Sequence, residues 1–222
     1  MAALRKGGSL LGYWKTKLKE TYFGINTPKP PFDFAVQVGD PVLRQKADEV
    51  KAEDIKSPEI QELISKLVSI MQRNRAYGMA APQIGVPLQV FVTELRPKEV
   101  AAFTDEDRDS QSIFAWSRKV FINPKMTIED SKKLIFKEAC LSIHGYAAHV
   151  PRAVKVKVKG LDHNGNPHEW TVSHFGARVV QHEMDHLNGR LFTDIMDPHT
   201  FHFMLWKLVQ KVPQARKSFG GL

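Results

Sequence analysis

The feature that most constrains this chain is the sequence H-E-M-D-H at positions 182–186, which lies inside an amphipathic stretch. After Ser173 the apolar positions follow a helical period, and Gly189 is placed to end the helix. Residues four apart lie on one face of a helix, so the two imidazoles come together on its apolar side, where they can bind one metal ion. Because unpaired imidazoles are costly to bury, the pattern favours metal binding over a chance pentapeptide. Glu183 is then placed to act as a general base on water.

A catalytic metal site needs a third protein ligand. The downstream candidates lack the spacing of the extended zinc-protease pattern, in which position 192 would be a His rather than Phe192. These candidates are Asp194, Asp197, His199 and His202. Upstream lies Cys140, the one thiol of the chain, and thiolate is a good ligand for Fe(II) or Zn(II). A single cysteine is also often just a small buried apolar residue, so the residues alone leave the third ligand open.

The charge distribution separates the two ends of the chain from its body. Residues 1–30 hold six basic residues and one acidic residue, and residues 198–222 hold four basic residues and no acidic one. The body between them is nearly neutral, with 22 basic and 23 acidic residues, which argues against a DNA-binding surface. The composition of residues 1–30 is typical of a transit peptide followed by a proline-rich linker. The basic C-terminal end suits contact with an acidic partner such as ribosomal RNA, or is simply a hydrated tail.

Two general restrictions follow from the composition. A lone cysteine excludes an internal disulfide and a disulfide-stapled secreted fold. The sequence also has no apolar run near the roughly 18 residues that a membrane-spanning helix needs, so we expect no transmembrane segment. The oligomeric state does not follow from the sequence.

The first part of the body predicts one strong helix and two short strands. Apolar residues recur with a helical period over residues 57–75, behind Ser57 as a cap. The runs at 88–92 and 119–122 are short, β-branched or aromatic, and typical of strands. The polar and acidic segment 96–117 is interpreted as a loop.

The second part predicts a hairpin and a last helix. Residues 152–160 alternate valine with lysine, as expected of a strand with one buried face. The pair Asn164-Gly165 supplies a turn, and residues 168–173 form the return strand. Asp197 opens a last helix that runs to about Lys211. Together the elements indicate an α+β fold: short antiparallel or mixed sheets packed around a central metal-binding helix, with an N-terminal amphipathic helix and a C-terminal helix.

Three blocks of the sequence resemble, in order, the signature motifs of the peptide deformylases. They are G-M-A-A-P-Q at 78–83, E-A-C-L-S at 138–142 and Q-H-E-M-D-H at 181–186, and the resemblance runs from about Val36 to Asp197. It implies a single deformylase-like catalytic domain in residues 31–222. The family removes the N-formyl group from the initiator methionine of nascent polypeptides and releases formate, using one divalent metal ion. That ion is commonly Fe(II), with Zn(II) or Co(II) as alternatives.

Carried over position by position, the resemblance implies a role for each motif residue. The metal ligands are Cys140, His182 and His186, the acid/base is Glu183, and the donors to the oxyanion are Gln83 and the N–H of Leu141. Main-chain groups of Tyr77, Gly78 and Ala139 bind the extended peptide.

Further residues are expected to support the site. Glu138 and Arg152 are expected to pair and brace the segment around Cys140, and Asp185 to orient a ligating imidazole or simply to face solvent. The wall of the methionine pocket is assigned to Phe175, Arg178 and Val179.

Three departures from the family pattern refine this interpretation. Ala76 and Ala139 replace glycines that the family usually has, which raises the question of backbone strain or a changed peptide fit. Ala147 stands where bacterial members usually have Arg, and with the basic leader this indicates the eukaryotic mitochondrial branch and the mitochondrial matrix. The rival hypotheses are a zinc endopeptidase that uses the same H-E-M-D-H and a non-catalytic ribosome-associated relic.

Overall fold

One antiparallel sheet of six strands forms the frame of the protein in the computed structural model, which describes residues 29–211. The strand order is β1-β2-β3-β4-β5, and β6 pairs with β4. The strands are β1 Gly78–Ala80, β2 Val90–Leu95, β3 Trp116–Ala139, β4 Tyr146–Leu161, β5 Pro167–Ser173 and β6 His202–Phe203. The predicted α+β class with antiparallel strands is confirmed. The strands belong to one sheet rather than several short ones, because β3 and β4 pair along most of their length.

The first helix, α1 (Pro58–Arg73), packs its apolar face against β1 and β2. The Ser57 side chain accepts a hydrogen bond from the backbone N–H of Ile60, which supplies the predicted cap. All the buried residues of α1 are apolar, and Leu67 is completely buried. The predicted helix is confirmed.

The second long helix, α4 (His174–Leu187), lies against β4 and also contacts β1 and β2. It ends as predicted, with Gly189 in the left-handed region at φ 69°. Unlike α1, it buries polar and charged residues among its apolar ones. Because it crosses the sheet near the end of β3, its polar residues meet the segment around Cys140.

The predicted β4–β5 hairpin is confirmed. Val156 and Val158 are fully buried, whereas Lys159 on the other face is exposed and forms an ion pair with Glu169. Gly165 in the connecting turn has φ 79°, which glycine adopts without strain.

Two other predicted segments differ from the structure. The segment interpreted as a loop carries two short helices, α2 (Pro97–Val100) and α3 (Asp105–Gln111), the second capped by the Thr104 side chain. The strand expected at 119–122 is the start of β3, which continues to Ala139.

The last predicted helix is wrong over residues 198–205. Residues Pro198–Thr200 form a 3-10 turn, β6 follows, and only Trp206–Lys211 (α5) is α-helical. Two contacts favour this arrangement: β6 pairs with Tyr146–Ala147 of β4, and the ring of Phe203 lies against Gly145, where an added Cβ would come within 2.7 Å of it.

The leader at 1–28 and the basic tail at 212–222 lie outside the described residues, so the predictions about them stay predictions. Among residues 29–211, none of the helices combines the length and the apolar composition of a membrane-spanning segment.

Candidate active site

One thiol and two imidazoles meet where α4 passes the end of β3. His182 and His186 are one helical turn apart on α4, with ring centroids 5.0 Å apart, and Cys140 directly follows β3. The ligand atoms of the three residues lie within 4.8 Å of one another, and Cys140 Sγ is 3.3 Å from His186 Nε2. The structure therefore brings together the three residues that the family resemblance assigned to the metal.

The geometry of this cluster fits a divalent cation. In a tetrahedral zinc site a sulfur and a nitrogen ligand are separated by about 3.5 Å, close to the spacing found here. The pKa of the Cys140 thiol lies well below its usual value, since burial raises it but the interactions with His186 and His182 outweigh burial. A thiolate beside two imidazoles is a donor set that suits Zn(II) or Fe(II).

Glu138 fixes the orientation of His182. Its Oε2 lies 3.1 Å from His182 Nδ1, which leaves the opposite ring nitrogen for the cation. Arg152 donates from Nε and Nη2 to the two carboxylate oxygens of Glu138, each at 2.9 Å. Burial raises the pKa of Glu138, but the hydrogen bonds from His182 and Arg152 lower it well below the usual value, so the carboxylate stays charged. The expected Glu138–Arg152 pair is present.

Glu183 lies beside the cluster with a free carboxylate oxygen. It is 2% exposed, and its Oε2 has no hydrogen-bond partner. Burial raises the pKa of Glu183 to about 7, which suits a group that exchanges protons near neutral pH. A Cβ added to Gly78 would lie 2.4 Å from Glu183 Oε1, so a glycine at 78 lets this carboxylate approach β1. The sequence carries no signal for this role of Gly78.

Gln83 and the N–H of Leu141 are the hydrogen-bond donors assigned to the oxyanion. Gln83 accepts from the N–H of Ala80 through Oε1, which directs its Nε2 toward Cys140 Sγ and Ser142 Oγ, both at 3.4 Å. The N–H of Leu141 has no hydrogen-bond partner within residues 29–211. Both groups are therefore available to a ligand oxygen.

Of the residues assigned to peptide binding, Gly78 lies against Glu183 and Ala139 directly precedes Cys140. The carbonyl of Tyr77 already accepts from Thr93 and Glu94, so it is not free to bind a peptide. Ala139 is exposed at the end of β3, opposite Ala147.

The two alanines that replace family glycines cause no backbone strain. Neither Ala76 nor Ala139 has a positive φ, so an alanine fits both positions. Ala76 packs against the apolar core around α1.

Other assignments need correction. Asp185 does not contact an imidazole; its carboxylate binds Arg152 and Arg190. Arg178 does not line a pocket, because its guanidinium points into the sheet and binds Glu138.

Phe175 and Val179 do share one apolar cluster, which also includes Leu95, Ile113, Tyr77, Phe103 and Trp116. Arg178 is a charged residue on the apolar face of α4, four residues before His182. This position was the sequence signal that it has a buried partner of opposite charge.

An α+β domain with a buried thiol and two imidazoles beside a free carboxylate defines a metal-dependent hydrolase. The family model described as polypeptide deformylase matches residues 35–202, and the chain belongs to this family.

Relatives agree with this assignment. The chain is 41% identical to "Peptide deformylase, mitochondrial" of Homo sapiens over 197 residues, 89% of this chain and 80% of the relative. It is 38% identical to "Peptide deformylase 1A, chloroplastic/mitochondrial" of Arabidopsis thaliana, over 88% of this chain and 69% of that one. The Met-Ala-Ser-bound class I type b peptide deformylase of Acinetobacter baumannii is similar with a TM-score of 0.65 and 30% identity, covering 73% of this chain and 96% of that chain.

Proposed function

We propose that this chain hydrolyses the N-formyl group of the initiator methionine of nascent polypeptides made in the mitochondrial matrix, and releases formate. The observation that carries the proposal is the cluster of Cys140, His182 and His186 beside the unpaired carboxylate oxygen of Glu183, in a chain of the deformylase family. A zinc endopeptidase is not favoured, because the third donor atom beside the two imidazoles is the Cys140 thiol. A non-catalytic relic is not favoured either, since a chain of the deformylase family here keeps the three candidate metal ligands and the unpaired Glu183 carboxylate.

The metal is assigned to Cys140, His182 and His186. A divalent cation, Fe(II) or alternatively Zn(II) or Co(II), supplies Lewis acidity that activates water and polarises a carbonyl oxygen when it is bound there. Glu138, held by Arg152, keeps the ring of His182 turned so that one nitrogen faces the cation.

Proton transfer is assigned to Glu183. As water attacks the formyl carbon, Glu183 takes its proton, and it returns this proton to the amine when the carbon–nitrogen bond breaks. Formate and the free amino terminus are the products. Close contact between Glu183 and Gly78 holds the carboxylate in place for both transfers.

Charge stabilisation is assigned to Gln83 and Leu141. The Nε2 of Gln83 and the N–H of Leu141 donate to the formyl oxygen as negative charge develops on it. Each is free enough to do so, since the contacts of Gln83 Nε2 are long and Leu141 N–H is unpaired among residues 29–211. We assign main-chain binding of the extended peptide to Gly78, Ala139 and the N–H of Tyr77.

The test is formate release from formyl-Met-Ala-Ser by protein reconstituted anaerobically with Fe(II), Zn(II) or Co(II). Glu183→Gln keeps the shape of the side chain and removes the base, so kcat falls by about 10²–10⁴-fold while the metal stays bound. Glu169→Gln, on the exposed face of β5, is the matched control and keeps wild-type kcat. Absence of turnover in all three metal forms, or wild-type kcat in Glu183→Gln, contradicts the proposal.

The matrix location rests on the basic leader at 1–30 and on similarity to the human protein named mitochondrial. Residues 1–30 fused to a fluorescent reporter direct it into mitochondria if the leader is a transit peptide; a cytosolic reporter contradicts this. Contact between the basic tail and ribosomal RNA stays a prediction, and so does the single-domain assignment of residues 31–222.

A further inference from the structure

Arg178 is a buried cation that the proposed chemistry does not use. It lies one turn before His182 on the same face of α4 and is 5% exposed. An arginine buried to this extent needs partners for its charge and its donors, because an unpaired buried charge is strongly destabilising. The identity of those partners shows what the residue does.

The guanidinium of Arg178 joins α4 to two strands of the sheet. Its Nη2 donates to the carbonyl of Leu134 on β3 at 2.8 Å, and its Nη1 donates to the carbonyl of Val150 on β4 at 2.9 Å. Nη1 also donates to Glu138 Oε1 at 2.7 Å. The planar fork of arginine allows these contacts at once, which a lysine ammonium does not reproduce.

Glu138 is the point where this network reaches the metal site. Its Oε1 accepts from Arg178 and Arg152, and its Oε2 accepts from Arg152 and lies beside His182 Nδ1. With donors on both oxygens, the carboxylate has one orientation, and that orientation fixes the ring of His182.

The charges of the network also balance only when Arg178 is present. Arg152 binds two carboxylates, those of Glu138 and Asp185. Arg178 supplies the second deeply buried positive charge, whereas Arg190, which also binds Asp185, is more than half exposed. Without Arg178, Arg152 would be the one deeply buried positive charge opposite two buried carboxylates, and Glu138 would lose one of its hydrogen-bond donors.

We propose that Arg178 is a positioning residue of the metal site: it ties Glu138 to the carbonyls of β3 and β4, so that Glu138 holds His182 in its ligating orientation and the cation is retained. This inference deepens the proposed function and rests on it. Arg178 touches neither the substrate nor the cation, and acts through Glu138.

The test measures metal loss and does not depend on turnover. Wild type, Arg178→Met and Arg178→Lys are loaded with one Zn(II), and transfer of the ion to a chromophoric chelator is followed. Arg178→Met releases Zn(II) about 10-fold faster than wild type, the lower end of the 10–100-fold range for groups that support metal ligands. The release rate of Arg178→Lys lies between those of wild type and Arg178→Met, because the lysine ammonium keeps the positive charge but lacks the planar fork of the guanidinium. Arg118→Met removes a half-exposed arginine elsewhere on β3 and releases Zn(II) at the wild-type rate.

A double-variant cycle separates positioning from general stability. If Arg178 acts through Glu138, adding Arg178→Met to Glu138→Gln increases the release rate by much less than it does in wild type. Wild-type release from Arg178→Met, or the same fold increase with and without Glu138→Gln, overturns the inference. If Arg178→Met does not fold, Arg178→Lys decides alone: release at the rate of Arg118→Met overturns the inference, and faster release supports it. Failure of wild type to release formate would count against the proposed function instead.

Discussion

The two long helices, α1 and α4, pack on the same sheet but bury different chemistry. All seven buried residues of α1 are apolar, so its burial contributes to stability through the hydrophobic effect. α4 buries five polar or charged residues beside its apolar ones: Arg178, Gln181, Glu183, Asp185 and His186. A helix that stabilises the fold and a helix that builds a site therefore show the same amphipathic period but differ in what they bury.

The polar groups of α4 divide further into paired and unpaired ones. Gln181 bonds the backbone of Ala153 on β4, and Arg178 and Asp185 belong to the network around Glu138. Within residues 29–211, the buried side-chain nitrogen or oxygen atoms without a partner are His174 Nδ1, Glu183 Oε2 and His186 Nδ1, all on α4. Since buried polar atoms are nearly always paired, the unpaired Glu183 Oε2, on the residue next to His182, marks a place that a ligand or water completes.

The largest effect is expected from Cys140→Ala. Removing one of three ligands eliminates stoichiometric metal binding and lowers kcat/KM for formate release more than about a thousandfold, equivalent to about 4 kcal/mol. Metal analysis after gel filtration measures this. One bound ion per chain in Cys140→Ala would show that the cation uses another third ligand.

On the other helix, Leu67→Ala is expected to lower the free energy of unfolding by about 3 kcal/mol, because it opens a cavity at a fully buried position. Urea unfolding measures the loss. Metal content and kcat of the folded protein stay at wild-type values, since α1 contributes no group to the site. A change in the metal affinity of Leu67→Ala would contradict the division between α1, which stabilises the fold, and α4, which builds the site.

The unpaired carboxylate of Glu183 predicts a pH-dependent stability in the metal-free protein. Burial raises its folded-state pKa from 4.5 to about 7, so its favourable contribution is present below pH 4.5 and is lost as the pH rises through 7. Metal-free Glu183→Gln therefore gains stability relative to wild type between pH 5 and pH 8, by at most about 3 kcal/mol at 1.36 kcal/mol for each pKa unit. Denaturant unfolding of both proteins at the two pH values measures the difference, and a pH-independent difference contradicts the buried carboxylate.

Gly78→Ala tests the contact between β1 and α4. The added methyl group displaces Glu183, and a displacement near 1 Å costs about 100-fold in kcat/KM while the metal stays bound. Steady-state kinetics on zinc-loaded protein give the ratio. Ala76→Gly is the control, since Ala76 has no positive φ and packs against the apolar core around α1; equal kinetics for both variants would refute the close approach.

The smallest effect is expected at the start of α1. Ser57→Ala removes the bond to the N–H of Ile60 and lowers the free energy of unfolding by about 1 kcal/mol. The corresponding Ser173→Ala change before α4 has a smaller effect, because the Ser173 side chain makes no capping bond. Thermal unfolding of the two variants compares the caps, and an equal loss in both would argue against the Ser57 cap.

Local signals predicted those parts of the fold whose residues carry their own pattern. The period and cap of α1, the valine alternation of β4 and the end of α4 at Gly189 were all visible in the sequence. β3 was predicted far too short because much of its second half is exposed, and its strand conformation comes from pairing with β4. The segment from Asp197 to about Lys211 was interpreted as one helix, yet its apolar residues Phe201, Leu205 and Leu208 are exposed, and pairing of β6 with β4 decides the chain path.

The site shows the same limit at the level of side chains. The spacing of His182 and His186 predicted their shared face, but the residues alone left the choice of Cys140 open until the family resemblance was considered. Arg178 was wrongly assigned to a pocket wall. The direction of its side chain is set by Glu138, which lies 40 residues away in the sequence and is brought close only by the fold. Long polar side chains take their orientation from distant partners, and a helical period does not reveal them.

X-ray absorption spectroscopy of the protein loaded with one Zn(II) tests the central claim most directly, because it counts the ligands by element. We expect one sulfur at about 2.3 Å and two imidazole nitrogens at about 2.0–2.1 Å, with the remaining position open to oxygen. A first coordination sphere without sulfur would contradict it.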